Sequence, residues 1–304
     1  MKKIAVVIPC LNEELTVGKV ITDFRKVLPD ADVYVIDNNS TDSTAAIALK
    51  NKAVVITEKQ RGKGIAVRKA FRKIEADIYI LIDGDDTYPA EEAVSLLAPI
   101  LDDTADIVVG TRLSRSANSK FRIQNRLGNI FFKQTINTLF HSDLTDILSG
   151  YRVMTRDFVK RMQILSKGFE IETELTIMAL NRGFRIVEVP VDLRPRPSGS
   201  NSKISIIRDG VRILSEMISL FCYYKPLSFF GGLGLIELLA SGLFWFYKVN
   251  GDGPHAFAST FSIGLALAGL LSVSVGGILH VVTRRFQELD QRLDLLNDEI
   301  HRTG

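Results

Sequence analysis

The chain has few of the residues that define several classes of protein. Its 304 residues include two cysteines, Cys10 and Cys222, which cannot form a disulfide framework and therefore favour a reducing compartment. The four histidines are too scattered for a His-x-x-His metal site. Net charge is also low, because 38 basic and 35 acidic residues leave only +3, so no nucleic-acid partner is expected. A hydrophobic fraction of 46% excludes a disordered chain.

Charged residues are nearly absent from two long segments near the C-terminus. Residues 226–247 are 22 residues with one charge, Glu237, and residues 256–283 are 28 residues without Asp, Glu, Lys or Arg. Because about 20 apolar residues cross a bilayer core of about 30 Å, we predict a transmembrane hairpin over residues 226–283. Two buried helices in a soluble core are the alternative. Glu237 is expected to face another helix or a polar cavity, since a charge exposed to lipid is costly.

The charges that flank this hairpin predict its orientation. Lys225 and the pair Arg284–Arg285 lie on the side of the large N-terminal region, whereas Lys248 is the only Lys or Arg residue of the short link. The positive-inside rule therefore predicts a multi-pass cell-membrane protein whose N-terminal domain and C-terminus are cytoplasmic. No signal peptide is expected, because the N-terminal apolar run soon reaches Asn12 and two glutamates.

Two segments beside the hairpin carry helical patterns. Residues 204–225 have apolar side chains every three or four positions, which predicts an amphipathic helix, either on the membrane surface or packed on its own domain. Residues 284–304 continue with apolar residues three and four apart. This pattern predicts a cytoplasmic C-terminal helix that makes contacts in a homo-oligomer.

The N-terminal region alternates short apolar runs with helical stretches. The predicted strands are Ile4–Ile8, Val33–Ile36, Val54–Thr57, Ile78–Ile82 and Ile107–Val109. The predicted helices are Leu15–Val27, Thr41–Asn51, Lys63–Ile74 and Ala90–Leu101. This alternation is typical of a doubly wound, mostly parallel α/β sheet that binds ligands at the carboxyl ends of its strands. Glycine-rich dinucleotide and P-loop motifs do not follow the first strand, so those nucleotide sites are poor interpretations.

Polar clusters follow the first, second and fourth predicted strands. They comprise residues 9–14 (PCLNEE), 37–42 (DNNSTD) and 83–87 (DGDDT). Taken singly, such residues also form turns and helix caps, but three of these loops on one sheet edge favour a metal–nucleotide site. Asp83 and Asp85 carry the strongest signal. Carboxylates directly after an apolar strand are costly unless they are paired or bind a metal, and their hard oxygens suit Mg²⁺ or Mn²⁺.

Together, the segments VVIPCLNEE, VIDNNSTDST and IDGDDTYP resemble the motifs of family 2 glycosyltransferases with a GT-A fold, in the same order. The resemblance is to the polyprenyl-phosphate glycosyltransferases related to dolichol-phosphate mannose synthase. It implies a GT-A catalytic domain followed by membrane elements. The implied domains are residues 1–203 (catalytic), 204–225 (juxtamembrane helix), 226–283 (hairpin, with spans 226–247 and 256–283) and 284–304 (C-terminal helix).

The resemblance implies a donor site that binds a nucleotide sugar. Its nucleotide-binding positions are Pro9, Leu11, Glu13, Asp37, Asn38, Asp83 and Lys203. Its Mg²⁺ or Mn²⁺ ligands are Asp83 and Asp85, and Asp85 is also implied to be catalytic. Asn38 stands where Asp is more usual, so uracil and guanine both stay open as the base, and Thr87 stands where mannose synthases have Gln as a further metal contact. The basic loop is expected to close over the diphosphate through Arg194, Arg196 and Lys203.

On the acceptor side, GTR and NRLGN resemble segments in which two catalytic arginines, here Arg112 and Arg126, hold the lipid phosphate. A planar guanidinium suits phosphate oxygens, and a solvated surface position is the alternative for both. The segment TDILSGYR resembles the family's D-x-x-S-G-Y-R stretch. It implies that Asp146, Ser149 and Arg152 shape the sugar and acceptor site, although a loop cap is equally consistent with Asp146.

Two further pairs of charged residues have two interpretations each. Glu170 and Glu172, in GFEIETEL, either contact sugar hydroxyls, with Glu172 the candidate, or form a solvated helix start. Arg61 and Lys63, in QRGKG, either support the donor phosphates or are ordinary charges at a helix start.

The implied reaction is inverting transfer of a sugar from a nucleotide sugar, with UDP-glucose or UDP-N-acetylglucosamine favoured, to dolichyl or undecaprenyl phosphate. The product would be a lipid-linked sugar for glycan or glycoprotein assembly. A phosphate monoester has a second pKa of about 6 and attacks without a general base, so no catalytic His or Cys is expected. A GDP-mannose-dependent mannose synthase is one alternative. A non-catalytic, nucleotide-sugar-binding membrane scaffold is the alternative of another class.

Overall fold

The computed structural model describes residues 2–112, 142–195, 221–250 and 255–303, with single positions between 133 and 140 and between 215 and 219. The chain divides into two compact units, Met1–Ile213 and Leu214–Gly304. The first unit is an α/β domain, and the second contains two long helices.

A mostly parallel sheet of seven strands forms the centre of the first unit. The strands are β1 (Ile4–Cys10), β2 (Asp32–Asp37), β3 (Val54–Thr57), β4 (Ile78–Leu81), β5 (Ile107–Thr111), β6 (Arg152–Thr155) and β7 (Ile186–Pro190). Their order is β3-β2-β1-β4-β6-β5-β7, and of these seven β6 alone runs antiparallel to its neighbours. The predicted α/β fold and its five predicted strands are confirmed.

Helices pack against this sheet. They are α1 (Val17–Val27), α2 (Thr44–Lys50), α3 (Lys63–Lys73), α4 (Ala93–Leu101), α5 (Arg156–Arg161) and α6 (Ile171–Arg182). Apolar residues three or four positions apart bury one face of α1, including Val17, Ile21 and Phe24. The four predicted helices are confirmed. However, α2 begins at Thr44 rather than at Thr41, and the Asp42 carboxylate accepts from the Thr44 N–H over 3.0 Å.

Hydrophobic patterns do not predict β6, β7, α5 and α6. β6 begins with the fully buried Arg152, and α6 buries Glu172 and Glu174 beside its apolar residues. Charged residues in the core remove the periodicity on which sequence-based assignment depends. These elements can therefore be assigned only when the strands and charged residues that they contact are known.

The chain reverses direction across the sheet between β1 and β4. It runs outward from β1 through β2 to β3 and then returns to β4, on the opposite side of β1. Ligands of open α/β sheets bind at such a switch point, outside the carboxyl ends of the strands. Here the loop after β4 lies directly on β1: a Cβ atom at Gly84 would be 2.6 Å from Cys10 Sγ. Thr16 Oγ1 also donates to the Gly84 carbonyl over 2.6 Å.

The second unit contains α7 (Pro226–Asn250) and α8 (His255–Thr303). Each holds a candidate membrane span, Pro226–Tyr247 and Ser259–Phe286, with mean hydropathies of 1.7 and 2.1. Only 11% of each hydrophobic window is buried, which argues against the alternative of core helices in a soluble protein. α8 continues without a break through residues 284–303, whereas the predicted interfacial helix over 204–225 lies largely outside the described residues.

Small and polar residues line the contact between α7 and α8. A Cβ atom at Gly234 would lie 2.7 Å from the carbonyl oxygen of Gly269, so the two backbones approach closely. The buried hydroxyls of Ser241 and Ser262 bond across the contact, 3.1 Å apart. Ser272 Oγ donates to Glu237 Oε2 over 2.8 Å, which confirms that Glu237 faces the other helix.

Candidate active site

The carboxyl ends of β1, β2, β4 and β5 lie along one edge of the sheet because these four strands are mutually parallel. The predicted polar clusters after β1, β2 and β4 therefore come together. Arg112, directly after β5, lies at the same edge. The segment that precedes the antiparallel β6 is also brought there, since Arg152 pairs with Leu81 at the end of β4.

Hydrogen bonds join the loops after β1 and β2. The backbone N–H of Asn12 donates to Ser40 Oγ over 3.0 Å, and the Asn12 side chain accepts from the Thr41 N–H over 2.7 Å. The N–H of Glu13 donates to Thr44 Oγ1 over 2.8 Å. The predicted nucleotide-binding residues of these loops are half-buried (Pro9, Leu11 and Glu13) or buried (Asp37 and Asn38).

Asn38 uses both ends of its amide within the protein. Its Nδ2 donates to the Gln60 carbonyl over 2.7 Å, and its Oδ1 accepts from the Gly62 N–H over 2.6 Å. A carboxylate at position 38 has no proton to donate to Gln60, so Asp would lose one of these bonds. This gives a structural reason for Asn at a position where Asp is more usual.

The loop after β4 has the donor set that a hard divalent cation requires. Asp85 is buried and accepts from the Thr87 N–H over 3.0 Å. Thr87 Oγ1 is itself buried and has no hydrogen-bond partner among the described residues. Mg²⁺ is usually held by one or two carboxylates together with substrate phosphates, so Asp83, Asp85 and this hydroxyl fit such an ion. Within the described ranges, no group of three or more His, Cys, Asp or Glu residues is placed so that it could hold a metal ion by itself.

Lys63 bridges this loop to α6. Its ammonium contacts Asp83 and lies 2.5 Å from Glu172 Oε1 and 5.9 Å from the centre of the Phe169 ring. Burial alone would lower the pKa of Lys63, but the charges of Asp83 and Glu172 raise it above its ordinary value. Lys63 is therefore a protonated ion-pair partner of a predicted metal ligand, which is more than an ordinary charge at a helix start.

The two glutamates at the start of α6 are buried, so the prediction of a solvated helix start is wrong. Glu170 Oε1 accepts from the backbone N–H groups of Lys167 and Gly168 over 3.0 and 2.7 Å. Burial raises the pKa of Glu172, while Lys63 acts in the opposite direction. Glu170 therefore caps the backbone before α6, and Glu172 pairs with Lys63 next to the loop after β4.

Gly150 and Tyr88 connect the loop after β4 to the segment before β6. A Cβ atom at Gly150 would be 2.6 Å from Asp83 Oδ2, so only glycine leaves room for this carboxylate. The Tyr88 hydroxyl accepts from the Gly150 N–H over 3.3 Å and lies 3.3 Å from Ser149 Oγ. Burial raises the pKa of Tyr88, Arg112 opposes that shift and Asp83 adds to it. The Tyr88 ring therefore lies in the field of both Arg112 and Asp83.

Arg112 and Asp146 form a two-pronged ion pair. Arg112 Nε and Nη2 each donate to the Asp146 carboxylate over 2.7 Å, and the Arg112 backbone N–H adds a third bond of 3.0 Å. Burial alone would raise the pKa of Asp146, but Arg112 outweighs it and holds that pKa below its usual range. Asp146 also accepts from the Leu148 N–H over 3.3 Å, so it serves as a loop cap as well.

Glu188 is a neighbour of this pair that the sequence did not single out. Its carboxylate accepts from the N–H and hydroxyl of Thr145 over 2.8 Å and from the N–H of Asp146 over 2.9 Å. The residue lies in β7, in the register position opposite Val109. Glu188 therefore orients the Asp146 loop, and a single glutamate inside a strand carries no motif that would have revealed this.

Arg152 and Ser149 are fully buried and act through their neighbours. The Arg152 guanidinium donates to the carbonyls of Ser149 and Ile147 and to the hydroxyl of Thr176, over 2.8–3.0 Å. Burial lowers the pKa of Arg152 to about 10. Ser149 Oγ donates to the Gly110 carbonyl over 2.5 Å. Both residues shape the edge of the sheet without being exposed to a ligand.

Arg194 contacts carboxylates of the protein itself. Its guanidinium lies 2.8 Å from Glu91, 3.2 Å from Asp23 and 3.3 Å from Asp86, and its backbone N–H donates to the Thr87 carbonyl. Arg194 is thus paired with three carboxylates of the protein, and its contact with a donor diphosphate stays a prediction. The predicted residues Arg126, Arg196 and Lys203 lie outside the described residues.

The fold and this edge define a GT-A glycosyltransferase. The structure is similar to that of glucosyl-3-phosphoglycerate synthase from Mycobacterium tuberculosis in complex with uridine diphosphate, with a TM-score of 0.60 and 21% sequence identity. The alignment covers 72% of this chain and 79% of the other. A complex of the same synthase with Mn²⁺ and UDP-glucose gives a TM-score of 0.58. At this identity the likeness shows the fold alone.

Sequence comparisons establish the family. The profile of glycosyl transferase family 2 matches residues 5–162, about half of the chain. Glycosyltransferase AglJ of Haloferax volcanii is 36% identical over 300 residues, covering 94% of this chain and 98% of the relative. A dolichyl-phosphate hexose transferase of the same organism is 32% identical, covering 64% and 83%. The chain belongs to glycosyltransferase family 2, as its motifs predicted.

Proposed function

We propose that the chain transfers a hexose from a UDP-sugar, glucose or N-acetylglucosamine, to a polyprenyl phosphate, with inversion at the anomeric carbon. The arrangement that carries the proposal is the joining of Asp83 to Arg112 through Gly150, Tyr88 and Ser149 at one sheet edge. This arrangement supports a site in which the acidic loop after β4 and a guanidinium group act together. The family membership and the relative named as a dolichyl-phosphate hexose transferase support the same class of reaction.

The donor half of the proposal uses the loops after β1, β2 and β4. Asp83 and Asp85 would hold Mg²⁺ or Mn²⁺ together with the donor diphosphate, and the unpartnered Thr87 hydroxyl fits a further contact. When bound, the cation supplies positive charge that offsets the charge developing on the departing diphosphate. The predicted nucleotide contacts, Asp37 and Asn38, lie at the carboxyl end of β2, which is separated from β4 by β1.

The acceptor half requires a group that binds and orients a phosphate. Arg112 uses Nε and Nη2 for Asp146, and among the described residues its Nη1 has no partner. Asp146 therefore fixes the guanidinium plane while one nitrogen stays available for a phosphate oxygen. Arg126, which lies outside the described residues, is proposed as the second phosphate ligand.

The acceptor phosphate supplies its own nucleophile. With a second pKa of about 6 it is largely dianionic at neutral pH, so its oxygen attacks the anomeric carbon without a general base. A bond forms between that oxygen and the anomeric carbon as the bond from this carbon to the donor diphosphate breaks. Direct displacement inverts the anomeric centre. Catalysis then depends on alignment and charge neutralisation, in agreement with a site built of carboxylates and arginines.

A panel assay tests donor, acceptor and stereochemistry together. Purified protein is incubated in detergent with dolichyl or undecaprenyl phosphate, Mn²⁺ or Mg²⁺, and UDP-glucose, UDP-N-acetylglucosamine or GDP-mannose. The extracted lipid is analysed by mass spectrometry and the anomer by NMR. We expect lipid-linked hexose with an inverted anomeric configuration from a UDP-sugar. We expect no product when EDTA removes the divalent cation. Product from GDP-mannose alone would instead identify a mannose synthase, and nucleotide-sugar binding without product would identify a scaffold.

We also propose that the two apolar helices cross the cell membrane, with the catalytic domain (1–203) and the C-terminus in the cytoplasm. Lys225 and Arg284–Arg285 flank the spans on one side, which supports this orientation. Single cysteines introduced at residues 251 and 304 should differ in labelling of intact cells by an impermeant maleimide. Labelling at residue 251 alone agrees with the proposal, and labelling at residue 304 alone would reverse it. We also propose that residues 284–304 form contacts between copies of this chain in a homo-oligomer.

A further inference from the structure

We propose that Lys63 is a positioning residue that holds Asp83 in the metal-free protein and gives up this contact, but not its contact with Glu172, when a divalent cation binds. The inference rests on the proposed function in one respect, the assignment of Asp83 as a metal ligand. It makes Lys63 a built-in competitor for the cation, so that metal binding to the free enzyme is weaker than the carboxylates alone would allow.

The backbone around Lys63 is fixed by contacts with the segment before α6. A Cβ atom at Gly62, where φ is +141°, would lie 2.1 Å from the Lys167 carbonyl oxygen. The Gly64 N–H donates to the Gly168 carbonyl over 3.1 Å. These contacts hold the backbone at the first turn of α3 in place. Any movement of Lys63 is therefore expected in its side chain.

The two carboxylates that contact Lys63 differ in their access to solvent. The side chain of Asp83 is 30% exposed, whereas those of Glu172 and Lys63 are 5% and 9% exposed. An incoming cation can therefore reach Asp83 but not Glu172. Asp83 is the exchangeable partner of the ammonium, and Glu172 is its permanent partner.

The surroundings of the Lys63 ammonium leave space for it to move away from Asp83. A Cβ atom at Gly150 would be 3.2 Å from Lys63 Nζ, so the glycine keeps that side free of a side chain. The Phe169 ring offers its face 5.9 Å away, and Glu172 keeps the charge paired. A cation bound to Asp83 repels the ammonium toward Glu172, because two positive charges a few ångströms apart raise each other's energy.

The first test measures Mn²⁺ affinity of the full-length protein in the absence of nucleotide and acceptor, by the EPR signal of free Mn²⁺. Lys63→Met is expected to bind Mn²⁺ about tenfold more tightly than the unchanged protein, because a competing charge within a few ångströms is removed. Lys69→Met is the matched control on the same helix. Its ammonium contacts Glu58 and the Thr57 carbonyl, away from Asp83, so its Mn²⁺ affinity should not change.

A second variant is expected to shift affinity in the opposite direction. Glu172→Gln removes the permanent partner and leaves the ammonium to Asp83 alone, so Mn²⁺ binding should weaken about tenfold. Lys63→Arg keeps the positive charge, so its Mn²⁺ affinity should stay within about threefold of that of the unchanged protein. These two variants keep the proposal testable if Lys63→Met does not fold. Tighter Mn²⁺ binding by Glu172→Gln, or unchanged binding by a folded Lys63→Met, would overturn it.

Asp83→Asn separates this inference from the proposed function. If Asp83→Asn binds Mn²⁺ as tightly as the unchanged protein, Asp83 is not a metal ligand and the assignment in the proposed function is wrong. If Asp83→Asn weakens binding while Lys63→Met leaves it unchanged, the metal site stands and only the role of Lys63 is overturned. Neither outcome requires knowledge of the acceptor or of the transferred sugar.

Discussion

The two units of this chain arrange apolar and polar residues in opposite ways. In the α/β unit the strands β1 and β4 are buried, and charged side chains meet at the sheet edge in close ion pairs such as Arg112–Asp146. In the hairpin unit the large apolar side chains point outward, with Leu243 71% exposed, while Ser262 is only 3% exposed. The first arrangement suits water as the solvent and the second suits lipid, where small and polar residues mediate helix contacts.

Both units nevertheless depend on glycine for a close approach. In the α/β unit Gly150 leaves room for the Asp83 carboxylate, and in the hairpin Gly234 leaves room for the backbone of the opposite helix. The first glycine admits a charged side chain, and the second admits the backbone of a neighbouring helix. We therefore expect substitutions in the α/β unit to impair cation binding and transfer, and substitutions in the hairpin to impair helix packing.

The chemical side of this comparison is tested most directly at Asp85. Asp85→Asn keeps an oxygen for the Thr87 N–H but removes a negative charge from the proposed metal site. We expect transfer to fall by about a hundredfold or more, because a preorganised electrostatic contact is lost, while the temperature of unfolding is little changed. Formation of lipid-linked product is the measurement, and Asp30→Asn at an exposed turn is the control. Full turnover by Asp85→Asn would refute the assignment.

Gly150→Ala tests whether the α/β unit needs space beside its charges. The new methyl group would lie 2.6 Å from Asp83 Oδ2, so the carboxylate must shift. We expect a loss of about 1–3 kcal/mol in the free energy of unfolding, together with weaker Mn²⁺ binding. Gly183→Asn, at a helix end with nothing within 4 Å of its Cβ position and a φ of +73°, should cost less than about 1 kcal/mol. Equal effects of the two substitutions would contradict the prediction.

Gly234→Leu makes the corresponding test in the hairpin. A Cβ atom at Gly234 would be 2.7 Å from both the Gly269 carbonyl oxygen and Val273 Cγ2, whereas one at Gly232 meets nothing within 4 Å. We expect Gly234→Leu to lower the stability of the detergent-solubilised protein by about 1–3 kcal/mol, and Gly232→Leu to have almost no effect. Thermal unfolding of both variants is the measurement. If Gly232→Leu proves the more damaging, the helix contact is on another face.

The smallest effect is expected at Glu237, the single carboxyl within the two candidate spans. Glu237 accepts a hydrogen bond from Ser272 across the helix contact. Hydrogen bonds of this kind average about 0.6 kcal/mol in membrane proteins, so a double-mutant cycle of Glu237→Gln and Ser272→Ala should give a coupling of that size. A coupling above about 2 kcal/mol would mean that Glu237 contributes as an ionised group within a larger polar network.

The motifs predicted that the acidic loops share one edge of the sheet, and the structure has them there, but the partners of each residue could not be read from the motifs. The acidic loops follow strands whose apolar runs are clear, so their common position was predictable. The burial of Glu172 was not predictable, because a glutamate at a helix start is ordinarily solvated. Arg194 lies in a basic, proline-rich loop that favours phosphate binding, yet its guanidinium meets the carboxylates of Asp86 and Glu91. Those partners are more than a hundred residues away in the chain.

The sequence by itself determined the α/β class, the order of the acidic loops and the two apolar spans. Each of these follows from local composition and periodicity, which act within a few turns of chain. Tertiary structure alone decided that Lys63 joins Asp83 to Glu172, that Glu188 orients the Asp146 loop and that Ser241 meets Ser262. Such contacts depend on which strands become neighbours and on how closely backbones approach, and long-range charge pairing leaves no periodic trace in a linear sequence.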